Sequence, residues 1–170
     1  MNSILFGFKG CGKTHFGSLL AKKLKLPFVD TDEQILQLYA EESERKLTIK
    51  TSNQLIGEEE FRKLEMRAVA RLVGIRNSVI ALGGGAVLHP RTLAVLQTMG
   101  TLIYLQASLT TLQNRGVTLL AGPIEKFYEE RISFYESIPS HCVNVDSMED
   151  NEILTSLCTI VTEGSMAYGC

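Results

Sequence analysis

The chain has 170 residues, 45% of them hydrophobic and 21% charged, with a net charge of −2, which suits one ordinary globular domain that needs no metal or disulfide staple. That charge excludes a broad basic surface for nucleic acid, and no apolar stretch reaches the roughly 18 residues that span a bilayer, so neither nucleic acid nor membrane is expected as a partner. Cys11, Cys142, Cys158 and Cys170 form no C-x-x-C pair and no zinc spacing, and the N-terminus has no leader pattern, so the expectation is a reduced, cytoplasmic chain.

The first apolar run, Ser3–Phe6, reads as a buried strand. Gly7-Phe8-Lys9-Gly10-Cys11-Gly12-Lys13-Thr14 follows it and fits the phosphate-binding pattern G-x-x-x-x-G-K-[ST]. Its glycines let the backbone N–H groups close around anionic oxygens. Lys13 suits β- and γ-phosphates, and the Thr14 hydroxyl suits Mg²⁺. His15–Leu24 reads as a helix, with Phe16, Leu19, Leu20 and Leu24 on one face, and its positive end points at the same anion. Cys11 sits beside Lys13 at that helix start, which favours a lowered pKa; the plainer reading is a small residue filling a tight loop.

Pro27-Phe28-Val29 is a short second strand closed by Asp30-Thr31-Asp32. Ligands of open parallel sheets collect at the carboxyl ends of strands, so both carboxylates are expected at the phosphate site. Asp30 suits Mg²⁺-bound water, and Asp32 suits the proton of a substrate hydroxyl. For Asp32 the competing reading is a helix N-cap. A helix is expected near Glu33–Tyr39, then a polar stretch, Glu41–Gly57, without clear periodicity. Glu58–Val73 reads as the next helix. On composition alone, Arg62 and Glu65 are a surface pair on it.

Ser78–Leu82 is a continuous apolar third strand, followed at once by Gly83, Gly84 and Gly85. Three glycines exceed the needs of a turn and imply close approach to a substrate. Pro90–Gln97 is helical, Thr101–Leu105 is the fourth strand, and Leu109–Asn114 and Ile124–Ser137 are helices; Arg131 on the second of these reads as a surface arginine. Cys142–Val145 is the fifth strand and Asn151–Thr162 the last helix, with a frayed tail after Glu163. His15, His89 and His141 have no ligand spacing and read as non-catalytic. Continuous apolar strands alternating with helices indicate an α/β fold with a parallel sheet covered on both faces.

In this order, the residues resemble the shikimate kinase family. The resemblance is carried by Gly7–Thr14, Phe28–Asp32, Gly57-Glu58 with Phe61-Arg62 and Glu65, Leu82–Val87, Leu119–Gly122, and Arg131 with Tyr135. It implies a three-layer α/β/α P-loop kinase fold with a five-stranded parallel sheet, formed by residues 1–170 as one domain. A substrate-binding region near 33–62 and a lid segment near 112–122 belong to that picture. The implied activity is phosphorylation of the 3-hydroxyl of shikimate by ATP with Mg²⁺, giving shikimate 3-phosphate and ADP, in a monomer. The implied ATP site comprises Gly10, Cys11, Gly12, Lys13, Thr14, His15 and Arg115. The implied acceptor site comprises Asp32, Arg62, Gly83, Gly84, Gly85 and Arg131, with the two arginines on the substrate carboxylate. Thr14 and Asp30 are the implied metal residues, and Lys13 and Asp32 the catalytic pair.

Three departures stand out. The family's lid carries Arg-Pro-Leu-Leu; here the segment reads Val117-Thr118-Leu119-Leu120, and it is short after Arg115. Arg115 and Lys9 are both candidates to replace the lid arginine, and an altered lid with low activity is the other reading. No basic residue follows the last strand in Asp146–Asp150, where the family has one near the adenine. The stretch between Asp32 and Arg62 is long and polar. Other readings of the chain are a related small-molecule kinase for gluconate or a nucleoside monophosphate, and a non-catalytic nucleotide-binding homologue.

Overall fold

The computed structural model describes residues 1–43, 56–119, 122–146 and 148–166. The Arg45-Lys46 cluster, most of the polar Glu41–Gly57 stretch, Leu120-Ala121, Ser147 and the last four residues lie outside them.

Five strands form the sheet: β1 Asn2–Phe6, β2 Phe28–Asp30, β3 Val79–Ala81, β4 Gly100–Gln106 and β5 His141–Asn144. They pair in parallel in the order β2-β3-β1-β4-β5. Every residue of β1 is buried, as expected for a central strand covered on both faces. The helices are α1 Lys13–Leu24, α2 Thr31–Ser43, α3 Glu58–Arg71, α4 Pro90–Met99, α5 Leu109–Asn114, α6 Ile124–Ser137 and α7 Asp150–Met166, with a 3₁₀ turn at Ala86–Leu88. After β1 the chain crosses over β3 to reach β2. After β3 it crosses β1 to reach β4. The loops leaving β1 and β3 therefore meet at a topological switch point, where this kind of sheet opens a crevice.

Several elements run longer than their periodicity suggests. α1 begins at Lys13, because Gly12 (φ 105°) turns the chain straight into the helix. It ends with Lys25 in the left-handed region, and Leu26 N–H donates to Ala21 O at 2.9 Å. α2 begins at Thr31 and reaches Ser43, beyond the expected Tyr39. Its last turn is held by Glu41 and Glu42, which pair with Arg71 and Arg67 of α3. α7 continues to Met166, so the expected fraying after Glu163 does not begin there.

The main core lies on both sides of β1 and β4. A smaller cluster of Ile35, Leu38, Phe61, Leu64 and Ala68 locks α2 to α3. Phe61, Leu64 and Ala68 fall at i, i+3 and i+7, so this stripe fixes the rotation of α3. Beneath the loops, the rings of Phe6, Tyr104 and Tyr135 pack with centroids 5.3 to 6.3 Å apart. Tyr135 is fully buried, and its hydroxyl donates to Gly84 O at 2.5 Å. Burial pushes that phenol up to about 12. Tyr135→Phe is expected to leave this carbonyl unpaired and to cost about 1–2 kcal/mol. Urea unfolding should show it as a lower midpoint with an unchanged slope.

Candidate active site

The loop between β1 and α1 closes through glycines with positive φ: Gly7 at 142°, Gly10 at 84° and Gly12 at 105°. A side chain on Gly7 would run into Leu105 O, and one on Gly10 into Val117. Lys13 opens α1 and is 8% exposed. Its ammonium donates to Gly7 O at 3.0 Å and Phe8 O at 2.9 Å, so it lies along the inside of the loop. Cys11 is fully buried, with Sγ 3.7 Å from that ammonium. The filling role fits it, since a reagent has no path to the thiol. His15 is exposed on α1 and faces Asp150 at 3.0 Å.

The Asp-x-Asp pair straddles the end of β2 and the first turn of α2. Asp30 Oδ1 accepts from Asp32 N–H at 2.9 Å, and Asp30 Oδ2 accepts from the Thr14 hydroxyl at 2.7 Å. The helix cap is therefore Asp30, and Asp32 is released from the capping role that composition allowed it. The Thr14 hydroxyl and the immobilised Asp30 carboxylate present adjacent hard oxygen donors, which fit Mg²⁺ chemistry. Thr31 is fully buried, and its hydroxyl accepts from Gly83 N–H at 2.8 Å, tying this junction to the triple glycine.

Asp32 is raised to about 6. Burial is the main cause, and the charges of Asp30 and Glu65 add to it, while Lys13 and Lys9 oppose it. A carboxylate poised there is ionised near neutrality yet basic enough to draw a hydroxyl proton.

The three glycines hold ordinary negative or extended φ; what they provide is room. A Cβ on Gly83 would stand 2.5 Å from Asp32 Oδ1, and one on Gly85 would stand 2.2 Å from Arg62 Nη1. Gly84 faces the phosphate loop, its Cβ position 3.4 Å from Lys9 N. Arg62 Nη1 donates to Glu65 Oε2 at 2.8 Å, and Glu65 is 3% exposed. This is not the surface pair that composition favours. Burial raises Glu65, and the charges of Arg62 and Arg131 pull it back down. Both guanidinium groups thus act on one buried carboxylate. Arg131 is half-buried, 5.3 Å above the Phe127 ring, and its charge opposes the upward shift of the Tyr135 phenol. Its helix-surface reading is corrected in the same way.

Arg115 Nη1 donates to Gly10 O at 3.1 Å, and Nη2 reaches Val145 O at 3.5 Å. A basic group therefore does stand at the end of β5, although it comes from the end of α5. Lys9 Nζ donates to Thr118 O at 3.0 Å. The structure thus gathers Lys13, Thr14, Asp30, Asp32, Gly83–Gly85, Arg62 and Arg131 into one cluster at the carboxyl ends of β1, β2 and β3. Arg115 lies at its outer lip, and His15 lies apart on the exposed side of α1. Sequence reasoning passed over Glu65 as a site residue. Its signal was the i, i+3 spacing to Arg62, which was indistinguishable from an ordinary helix pair.

The shikimate kinase family model matches residues 9–162. A shikimate kinase from Caldicellulosiruptor saccharolyticus is 41% identical over 107 residues, covering 63% of this chain and 59% of that relative. One from Francisella tularensis subsp. novicida is 32% identical over 173 residues, covering 95% of each. The crystal structure of shikimate kinase from Aquifex aeolicus matches with a TM-score of 0.77 at 28% identity, covering 99% of this chain and 100% of that one. The chain spans 59% and 63% of the length of the first two curated relatives it matches.

Proposed function

The chain belongs to the shikimate kinase family, and from this premise we propose that it transfers the γ-phosphoryl group of ATP to the 3-hydroxyl of shikimate, giving shikimate 3-phosphate and ADP. The observation that carries this reading is the cluster itself. Two arginines act on one buried carboxylate, Glu65, and a second, poised carboxylate, Asp32, lies next to it beside the phosphate loop. That pattern suits a small acid bearing a hydroxyl.

In this mechanism the amides of Gly10–Thr14 cradle the phosphates, and Lys13 leaves its loop carbonyls for the β- and γ-oxygens. Thr14 and Asp30 would hold Mg²⁺, which would supply neutralisation of phosphate charge. Arg115, at the outer lip, flanks the nucleotide, whereas His15 stays on Asp150 at the exposed side of α1. Arg62 and Arg131 hold the substrate carboxylate through paired N–H···O bonds. Glu65 keeps Arg62 extended towards Gly85. Gly83 and Gly85 leave room for Asp32 and Arg62 to face the ring. Asp32 accepts the hydroxyl proton as the oxygen attacks in line. Catalysis is then mainly positioning and electrostatics.

One domain of residues 1–170, with its substrate region near 33–62 and its lid near 112–122, belongs to the same proposal. So does action as a monomer, since one chain supplies every group named. A cytoplasmic setting is supported by Cys11, Cys142 and Cys158 being free thiols. No helix among the described residues is long and apolar enough to cross a membrane.

The test is an acceptor panel of shikimate, gluconate and nucleoside monophosphates with Mg·ATP, with products identified by ³¹P NMR. Only the shikimate reaction is expected to give a new phosphomonoester. A gluconate or nucleotide product would move the assignment to a related kinase, and nucleotide binding without any product would favour the non-catalytic reading. A second prediction concerns the clamp. Gly85→Ala meets only the far end of the Arg62 side chain, so the fold should survive while the guanidinium is displaced. The KM for shikimate is expected to rise roughly tenfold to a hundredfold, with the KM for ATP unchanged. An unaltered shikimate KM would remove Arg62 from the clamp.

A further inference from the structure

We propose that Lys9 is a second catalytic cation, beside Lys13, that meets the charge developing on the transferring phosphoryl group from the lid side of the loop. The inference rests on the phosphoryl-transfer reading above and names the group that reading leaves open. In the transition state, charge spreads over three equatorial oxygens. The loop amides and Lys13 approach from the loop side. The side facing the acceptor and the lid needs a second donor.

The lid segment offers none. Between Arg115 and Arg131 the only basic residue in the sequence is Lys126, exposed in the first turn of α6. Arg115 is directed elsewhere, since both of its terminal nitrogens are held by backbone carbonyls, Gly10 O and Val145 O, at the outer lip. Lys9 stands where the loop, the triple glycine and the lid meet. Its backbone nitrogen is 3.4 Å from the position a Cβ on Gly84 would take. Its ammonium reaches across to Thr118 O at 3.0 Å and is exposed. Its charge is also felt by the Asp32 carboxylate, together with that of Lys13. Lys9 therefore lies within electrostatic reach of the group that holds the attacking hydroxyl. An ammonium on a four-carbon stem has three donors, so one can stay on Thr118 O while the others turn to a phosphoryl oxygen.

The competing explanation is a purely structural tie between loop and lid. Lys9→Gln separates the two, because its amide can still donate to Thr118 O but carries no charge. Wild type, Lys9→Gln and Lys9→Arg are compared for kcat, for both KM values, and for the affinity of ADP with and without aluminium fluoride in the presence of shikimate. The expected result for Lys9→Gln is a fall in kcat of about 10²–10³-fold with both KM values nearly unchanged. Binding of ADP alone should be kept and the tightening by aluminium fluoride lost, with Lys9→Arg recovering part of both. Wild-type kcat and full fluoride tightening in Lys9→Gln would overturn the assignment. Wild-type protein without shikimate-dependent turnover would instead overturn the parent reading, and this assignment with it.

Discussion

Lys13→Ala is expected to lower kcat by about 10³-fold or more while the protein stays folded. Lys13 is 8% exposed, and among the described residues its ammonium bonds only main-chain carbonyls of the loop and, weakly, Cys11 Sγ. It is a buried cation without a carboxylate bonded to it. Burying such a charge costs stability, so its removal relieves the fold, and Phe8 O keeps the Cys11 N–H at 3.2 Å. What disappears is the cation that meets the charge on the transferred phosphate. Single-turnover kinetics and a thermal melt check both halves. A variant within tenfold of wild-type kcat would remove Lys13 from the chemistry, and an unfolded variant would make the lysine structural.

Asp32→Asn is expected to cost about 10²–10⁴-fold in kcat and also to make the protein more stable at alkaline pH. The carboxyl is raised in the fold from 3.8 to about 6, mainly by burial. Its protonated form is therefore the one the fold prefers. The stability this contributes is fully present below pH ~4 and is lost as pH rises through about 6. At pH 8 wild type carries the whole penalty, so Asp32→Asn should unfold later by an amount on the order of 1–3 kcal/mol. The difference should vanish towards pH 4. Activity runs the opposite way: wild-type kcat/KM should fall as pH drops through about 6, because the protonated carboxyl cannot accept the hydroxyl proton. Denaturant melts at pH 8 and pH 4.5, with a pH–rate profile, read both effects. A variant less stable than wild type at pH 8, or one as active as wild type, would contradict the role given to Asp32.

Stability and catalysis are thus opposed at this carboxylate, which is characteristic of a functional site. The loop was readable from sequence for a related reason. Its glycines have φ values that other residues avoid, so the pattern is local and unambiguous. The strands were readable because continuous apolar runs have few alternatives in a chain with this many helices. The triple glycine was read as close approach to a substrate; that it also leaves room for Asp32 and Arg62 is a tertiary fact that the sequence hides. The burial of Glu65 was hidden as well. Whether an i, i+3 Arg–Glu pair faces water or a crevice depends on how Phe61, Leu64 and Ala68 rotate α3 against α2. The end of α2 was missed because Glu41 and Glu42 are anchored by arginines some 25 to 30 residues away. Likewise Arg115 reaches the end of β5 from another element, so no pattern around Asp146 announces it.

The measurement that bears most directly on the account is ADP release from Mg·ATP by the full chain, with and without shikimate. The account predicts a slow basal rate that shikimate raises many-fold and saturably, with the stimulation lost in Asp32→Asn. An ADP release rate indifferent to shikimate, in protein that binds ATP, would contradict it.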